Sequence, residues 1–306
     1  MPAARSRRAL ALGLLAGTGL DTVLADPRRG HPVAGFGEAA ARVERWIWAD
    51  SRTRGVAFTA VCVGLPVLAS RRRRGFLAVT AATWTVLGAR SLRAEGQAVD
   101  GYLRAGDLAA AREQLTHLVG RDTSTLDADE IARAALESIA ENTCDAIVAP
   151  LFWGALAGVP GLVGYRAINT LDAMVGYRSP RHEQFGWASA RLDDLVNLIP
   201  ARATAGLVAI GAFATGDDAV AAVRVARRDG RRHPSPNSGF AEAAFAGALG
   251  VRLGGRNVYE GRVEDRPTMG DGRAVQTDDL ARATRLSGAV TVAAAAAAAL
   301  LAWRRR

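Results

Sequence analysis

Glu137, Glu141 and Asp145 recur every four residues, so a helix through them carries its acids in one stripe, with Arg133 one turn earlier. In isolation such a stripe is a solvated helix face. Here it runs straight into Ala146-Ile147-Val148-Ala149-Pro150, and acids at a membrane boundary bind a proton or a cation. A second group is Asp193-Asp194 with Asn197: on a helix Asp193 and Asn197 share a face, and Asp194 aligns with Arg191. Clustered oxygen donors suit Mg²⁺, which takes one or two carboxylates together with substrate phosphates. Arg178, Arg191 and Arg202 flank that group and can meet phosphate oxygens in bidentate pairs. Asn169 and Asp172 form a third polar pair at i,i+3, followed by Tyr177 and Arg178.

These groups share residues 121–202, where acids, amides and arginines alternate with aromatic and apolar residues. Polar groups in apolar surroundings are costly unless paired. The pattern therefore predicts an active site beside or partly inside a membrane. Other chemistries are excluded. All 39 Lys+Arg residues are arginine, which removes Schiff-base, Walker A and adenylylated lysines at once. Arginine stays protonated and offers a planar fork to carboxylates and phosphates. The four histidines form no metal pattern: His31 and His233 precede prolines, His117 lies in a helical stretch and His182 in a charged turn. No Gly-x-Ser-x-Gly, no Cys/His pair and no glycine-rich phosphate loop after a strand occurs. Leu253-Gly254-Gly255-Arg256-Asn257 could bring backbone N–H groups to a ligand, but reads as little more than a turn. Two cysteines, Cys62 and Cys144, are too few for a disulfide framework.

The elements that must position these residues follow from hydropathy. The chain of 306 residues is 49% hydrophobic but only 6% aromatic, with net charge +9. That charge suits anionic lipid or an acidic small molecule; no nucleic-acid signature accompanies it, and no nucleic-acid partner is expected. Apolar runs cover residues 9–25, 55–70, 75–89, 146–164, 203–215 and 286–303. The first is expected to be a retained membrane segment. The second and third form a helical hairpin around Arg71-Arg72-Arg73-Arg74, each arm shorter than the ~20 residues a span prefers. The fourth, with Pro150, Pro160 and four glycines, predicts a broken or re-entrant helix. The last ends in Trp303 and three arginines, as an interfacial stop would. Between the runs, residues 100–119 read as one amphipathic helix, Asp127 with Glu130 as a capping box, and 216–230 as another amphipathic stretch. Residues 257–277 read as a surface loop, and no alternation long enough for a sheet is present. The expectation is an all-α, multi-pass membrane protein with short or re-entrant hydrophobic helices and amphipathic helical polar segments, forming a single domain over 1–306 in the cell membrane. Short-loop and bulk arginine distributions favour opposite orientations.

Nine ordered motifs then carry a resemblance. They are Asp26-Pro27-Arg28-Arg29 with His31-Pro32-Val33; Arg121-Asp122-Thr123-Ser124; Glu137-Ser138 with Glu141-Asn142; Ala149-Pro150-Leu151-Phe152-Trp153; Pro160-Gly161; the block 165–177; the block 185–194; Pro236-Asn237-Ser238-Gly239; and Leu253-Gly254-Gly255. Together they resemble the CobD/CbiB family of cobalamin biosynthesis over residues 19–272. His182 stands where such proteins more commonly carry an aromatic. The resemblance implies an adenosylcobinamide-phosphate synthase: a ligase joining the propionate carboxylate of adenosylcobyric acid to aminopropanol or its O-phosphate, consuming ATP with Mg²⁺. The corrinoid is then a substrate, and membrane lipid and other cobalamin-pathway enzymes are expected partners.

On that footing Glu141, Asp145, Asp193 and Asp194 are expected to hold Mg²⁺. Arg121, Arg178 and Arg191 would orient phosphate or propionate, and Glu137 or Asp122 would take the amine proton. Asn169, Asp172, Tyr177 and Asn197 complete the nucleotide and substrate contacts, and Trp153, Tyr165 and Trp187 offer apolar faces to the corrin. The rival readings are a Mg²⁺-dependent membrane transferase, disfavoured by the single double-Asp, and a non-catalytic scaffold or transporter, disfavoured by short spans and absent repeats.

Overall fold

A computed structural model describes residues 2–24, 30–177, 179–259 and 262–305. The helices, in chain order, are α1 (Pro2–Leu24), α2 (Pro32–Ile47), α3 (Arg52–Ser70), α4 (Phe76–Val86), α5 (Ala89–Arg104), α6 (Leu108–Leu115), α7 (Ala128–Thr143), α8 (Ala149–Ala157), α9 (Val159–Leu171), α10 (Trp187–Thr215), α11 (Ala219–Asp229), α12 (Ser238–Leu249) and α13 (Asp279–Arg304). Two π-helical turns, Cys144–Val148 and Asp172–Gly176, extend α7 and α9. Strands β1 (Leu253–Tyr259) and β2 (Arg262–Met269) pair antiparallel. The all-α expectation holds apart from this one hairpin. It lies where a loop was expected, because Gly254, Gly255 and Pro267 hide the alternation that betrays strands. A register irregularity sits between Leu253 and Gly255, at Gly254, whose φ of 89° an L-residue rarely adopts.

The chain forms two compact units, each assembled from separated stretches. The first comprises residues 1–88, 149–197 and 295–306. Within it α4 packs chiefly on α1 and α3 chiefly on α9, so α3 and α4 are sequence neighbours with different principal partners. Gly13 and Gly17 let α1 approach Val79 and Thr83 of α4 more closely than any side chain would allow. The predicted break in the fourth apolar run is real: Gly158, at φ 68°, separates α8 from α9, which fold back on each other. A buried core of Phe58, Cys62, Leu171, Val175 and Phe185 supports this unit, with the two phenylalanine rings 5.1 Å apart.

The second unit comprises residues 89–148 and 198–294. Its centre is α12, buried from Gly239 to Leu249 because alanine and glycine admit α11 at close range. The stretch read as one helix from 100 to 119 is two, since Gly106 (φ 74°) ends α5 and Asp107 caps α6. The Asp127/Glu130 capping box forms as predicted. Asp229 accepts from Arg228 and from the Gly270 backbone, tying α11 to the end of the hairpin.

Three helices among the described residues are long and apolar enough to cross a membrane: α3 (19 residues), α10 (29 residues) and α13 (26 residues). The first apolar run forms α1, which is not one of the three. The run read as 203–215 is only the end of α10, which starts sixteen residues earlier with the Asp193 group inside it.

Candidate active site

The second unit holds a buried cluster around Glu137, 5% exposed on α7. Arg121, in the loop before α7, donates to its Oε2 at 2.8 Å. Arg133, one helical turn back, donates to Oε1 at 3.3 Å, and the Gly254 backbone N–H donates to the same oxygen at 2.9 Å. Arg133 also donates to the Gly254 carbonyl at 2.7 Å. Loop, helix and hairpin are thus fastened to one carboxylate. A buried carboxylate needs this many donors to remain charged. Both of its oxygens are engaged by these donors, the arrangement of an anchor that joins loop, helix and hairpin. The Gly254 amide, a ligand-binding candidate from sequence, is committed to the same anchor.

Two further acids complete the cluster. Glu141 accepts from the Ser238 hydroxyl of α12 at 2.7 Å. Glu242, the one acid on α12, is 1% exposed and was missed in the sequence. The signal available was a single carboxylate within a twelve-residue helix otherwise made of apolar and small residues. Burial pushes its carboxyl well above the usual range, and Glu137 and Glu141 push it further. Its neighbour is His233, whose Nε2 lies 3.5 Å from Glu242 Oε1. The Ser235 N–H donates to His233 Nδ1 at 3.0 Å, so the neutral ring carries its proton on Nε2, facing Glu242. Burial lowers the His233 pKa, and Arg266 adds to this. Burial thus disfavours the charged form of both groups. Asp122 is exposed and accepts from the Ser124 N–H at 2.9 Å. That bond holds its carboxyl below the ordinary value and weakens it as a base. Asp145 lies half-buried in the first π-helical turn.

The first unit holds a different cluster. Asn197, 1% exposed on α10, donates to Asp193 Oδ2 at 2.9 Å and accepts from the Tyr165 hydroxyl of α9 at 2.9 Å. Tyr165 is buried and its hydroxyl committed, so it fixes α9 to α10 and offers no open ring face. Arg191, exposed, lies 3.3 Å from Asp194. Trp153 donates its indole N–H to the Val196 carbonyl, and Trp187 is partly exposed under the Arg52 guanidinium. Asn169 accepts from Arg166 at 3.3 Å. Asp172 opens the second π-helical turn, and its carboxylate occupies the space over Gly176 that a side chain there would fill. Tyr177 is exposed, its ring edge-on to His182 at 5.0 Å. Arg178 and the Asp26-Pro27-Arg28-Arg29 motif lie outside the described residues.

The nominated residues therefore collect in two sets, Arg121, Asp122, Glu137, Glu141 and Asp145 in one unit, and Asn169, Asp172, Tyr177, Arg191, Asp193, Asp194 and Asn197 in the other. Among the described residues no group of three or more His, Cys, Asp or Glu forms a metal cage. Mg²⁺ rarely uses one, taking a carboxylate or two and completing its shell with phosphate and water. Asp193 and Asp194 offer the adjacent carboxylates that such a donor set uses.

A predominantly helical protein with membrane-length helices and two arginine–carboxylate–amide clusters is the class these features define. The family model described as CobD/Cbib protein matches residues 14–287. The chain belongs to the CobD/CbiB family of cobalamin biosynthesis. It is 51% identical over 303 residues to the cobalamin biosynthesis protein CobD of Mycobacterium tuberculosis, covering 97% of each chain. It is 45% identical to a CobD of Rhodobacter capsulatus, covering 88% of this chain and 90% of that one. For the CobD of Geobacter metallireducens the identity is 44%, over 82% and 84%. No solved structure matches.

Proposed function

We propose that this protein is a multi-pass enzyme of the cell membrane that ligates the propionate carboxylate of adenosylcobyric acid to the amine of aminopropanol or its O-phosphate, driven by ATP. The observation that carries this reading is the end-to-end match to relatives named for cobalamin biosynthesis, with residues of the motifs that carry the resemblance forming the two polar clusters. The chemistry is consistent with those clusters. A carboxylate does not condense with an amine in water without activation. Phosphorylation by ATP supplies it, giving an acyl phosphate and ADP; amine attack then gives the amide, phosphate and a proton. Phosphoryl transfer asks for positioned cations rather than a protein nucleophile, which accords with a chain rich in arginine and devoid of lysine. Asp193 and Asp194 would hold the Mg²⁺ that arrives with ATP and neutralises phosphate charge, with Arg191 beside them. Glu141 and Asp145 are the remaining candidate ligands. Arg121 and Arg133, set by Glu137, hold fixed positive charge at the other cluster.

The test is direct. Purified protein is supplied with adenosylcobyric acid, ATP and Mg²⁺, and with either aminopropanol or its phosphate. ATP-dependent appearance of the amide supports the ligase, and the preferred acceptor is read from the same experiment. Corrinoid binding without turnover under all conditions would leave a scaffold, and transfer without amide formation a transferase.

A further inference from the structure

A groove of about 950 Å³ lies between the end of α10 and α11, wholly within the second unit. Its floor and walls are apolar, from Ile210 and Phe213 on α10 and Val220 and Val223 on α11. Phe213 is 83% exposed and Val220 77%, values that cost free energy in water. The other face of α11, Ala221, Ala222, Val225 and Ala226, is buried. Arg224 and Arg227 also line the groove, both exposed and without an ion-pair partner among the described residues. Arg228 beside them is committed to Asp229 and Asp271.

Position decides what fits here. α10 is one of the three membrane-length helices and carries Ile199, Ile210 and Phe213 exposed along its side. α11 begins four residues after α10 ends, started by the Gly216 turn (φ 78°) and capped by Asp218. An amphipathic helix at the end of a span lies in the headgroup layer, apolar residues toward acyl chains and arginines toward phosphates. An apolar trough edged by two uncommitted guanidinium groups is complementary to an acyl chain bearing a negative headgroup.

We propose that the α10–α11 groove is a binding site for an anionic phospholipid, its acyl chain along Ile210, Phe213 and Val220 and its phosphate on Arg224 and Arg227. The assignment rests on the membrane reading of α10. It adds a fixed lipid to the assembly and ties the edge of the second unit to bilayer composition.

Full-length protein in detergent is mixed with phosphatidylcholine vesicles, and separately with equal parts phosphatidylcholine and phosphatidylglycerol, and floated. Native mass spectrometry then reads retained lipid. The expected result is flotation with both, with selective retention of phosphatidylglycerol. The double variant Arg224→Gln/Arg227→Gln should lose that preference by on the order of tenfold, while Arg72→Gln/Arg73→Gln, in the exposed basic turn after α3, keeps it. Phe213→Ser should weaken retention of the diacyl lipid with circular dichroism unchanged. Equal retention by the Arg224/Arg227 variant, equal loss by the control, or displacement of the lipid by glycerol phosphate alone overturns the site. Flotation with neither vesicle overturns it too, but through the membrane reading; flotation with both and no lipid preference leaves the membrane reading intact and removes only the site.

Discussion

The two polar clusters satisfy buried groups in opposite ways. Around Glu137 the means is full charge: two guanidinium groups and a backbone amide converge on one carboxylate with almost no solvent. Around Asn197 it is neutral: an amide relays between a tyrosine hydroxyl and Asp193, with Asp194 and Arg191 toward solvent. The difference teaches where each can respond to a ligand. A saturated charge cluster is rigid and expensive to disturb. A carboxylate oriented by a neutral amide, with its neighbour Asp194 only part-buried, lies nearer to where a ligand could reach it.

The largest expected effect tests that contrast. Glu137→Ala removes the acceptor that Arg121, Arg133 and the Gly254 amide share, and should destabilise the protein by about 3–5 kcal/mol, measured by thermal unfolding in detergent. A loss below about 1 kcal/mol would show the cluster is not the anchor described. Asn197→Leu removes one donor and one acceptor from the other cluster and should cost about 1–3 kcal/mol. It should also raise KM for MgATP, since Asp193 loses its orientation.

Glu242→Gln is the sharper probe, because it keeps shape and removes only a titration. The unfolded carboxyl titrates near about 4.3, while the buried one titrates well above its ordinary value. Below the unfolded value both states hold the proton, and the residue contributes its full stability. As pH rises through the window up to the folded value, the unfolded chain ionises first and stability is lost. The variant should therefore match wild type within about 1 kcal/mol in acid and gain on it as pH increases. A constant offset across pH would show that Glu242 is ionised in the fold. The smallest effect on stability is expected for Arg191→Ala, below about 1 kcal/mol because the pair with Asp194 is exposed. Its effect on turnover should be far larger, and unchanged kinetics would remove Arg191 from the site.

Much of this was legible in the residues themselves. The Asp127 cap, the break at Gly158 and the apolar length of α13 are local, written in side-chain type and spacing, whereas α3, expected to be too short for a span, gains three residues before Gly55 and is long enough to cross. The acidic stripe on α7 was legible as well, but its purpose was not. Whether Glu137 is free or locked depends on Gly254, 117 residues away, and no pattern within α7 records that. Gly106 was hidden by apolar periodicity continuing from α5 into α6. The hairpin was hidden because its glycines and charges read as loop. Glu242 was overlooked for the reason it matters: an acid in an apolar helix carries no motif, only an incongruity.

Gly176 has one more consequence. Asp172 rests over its α-carbon, so the missing methyl sets where that carboxylate can lie. Alanine at 176 would evict the acid group without changing its charge or its position in the chain. A negative charge in this protein can thus be relocated by editing its neighbour, which separates the influence of where it stands from that of what it is.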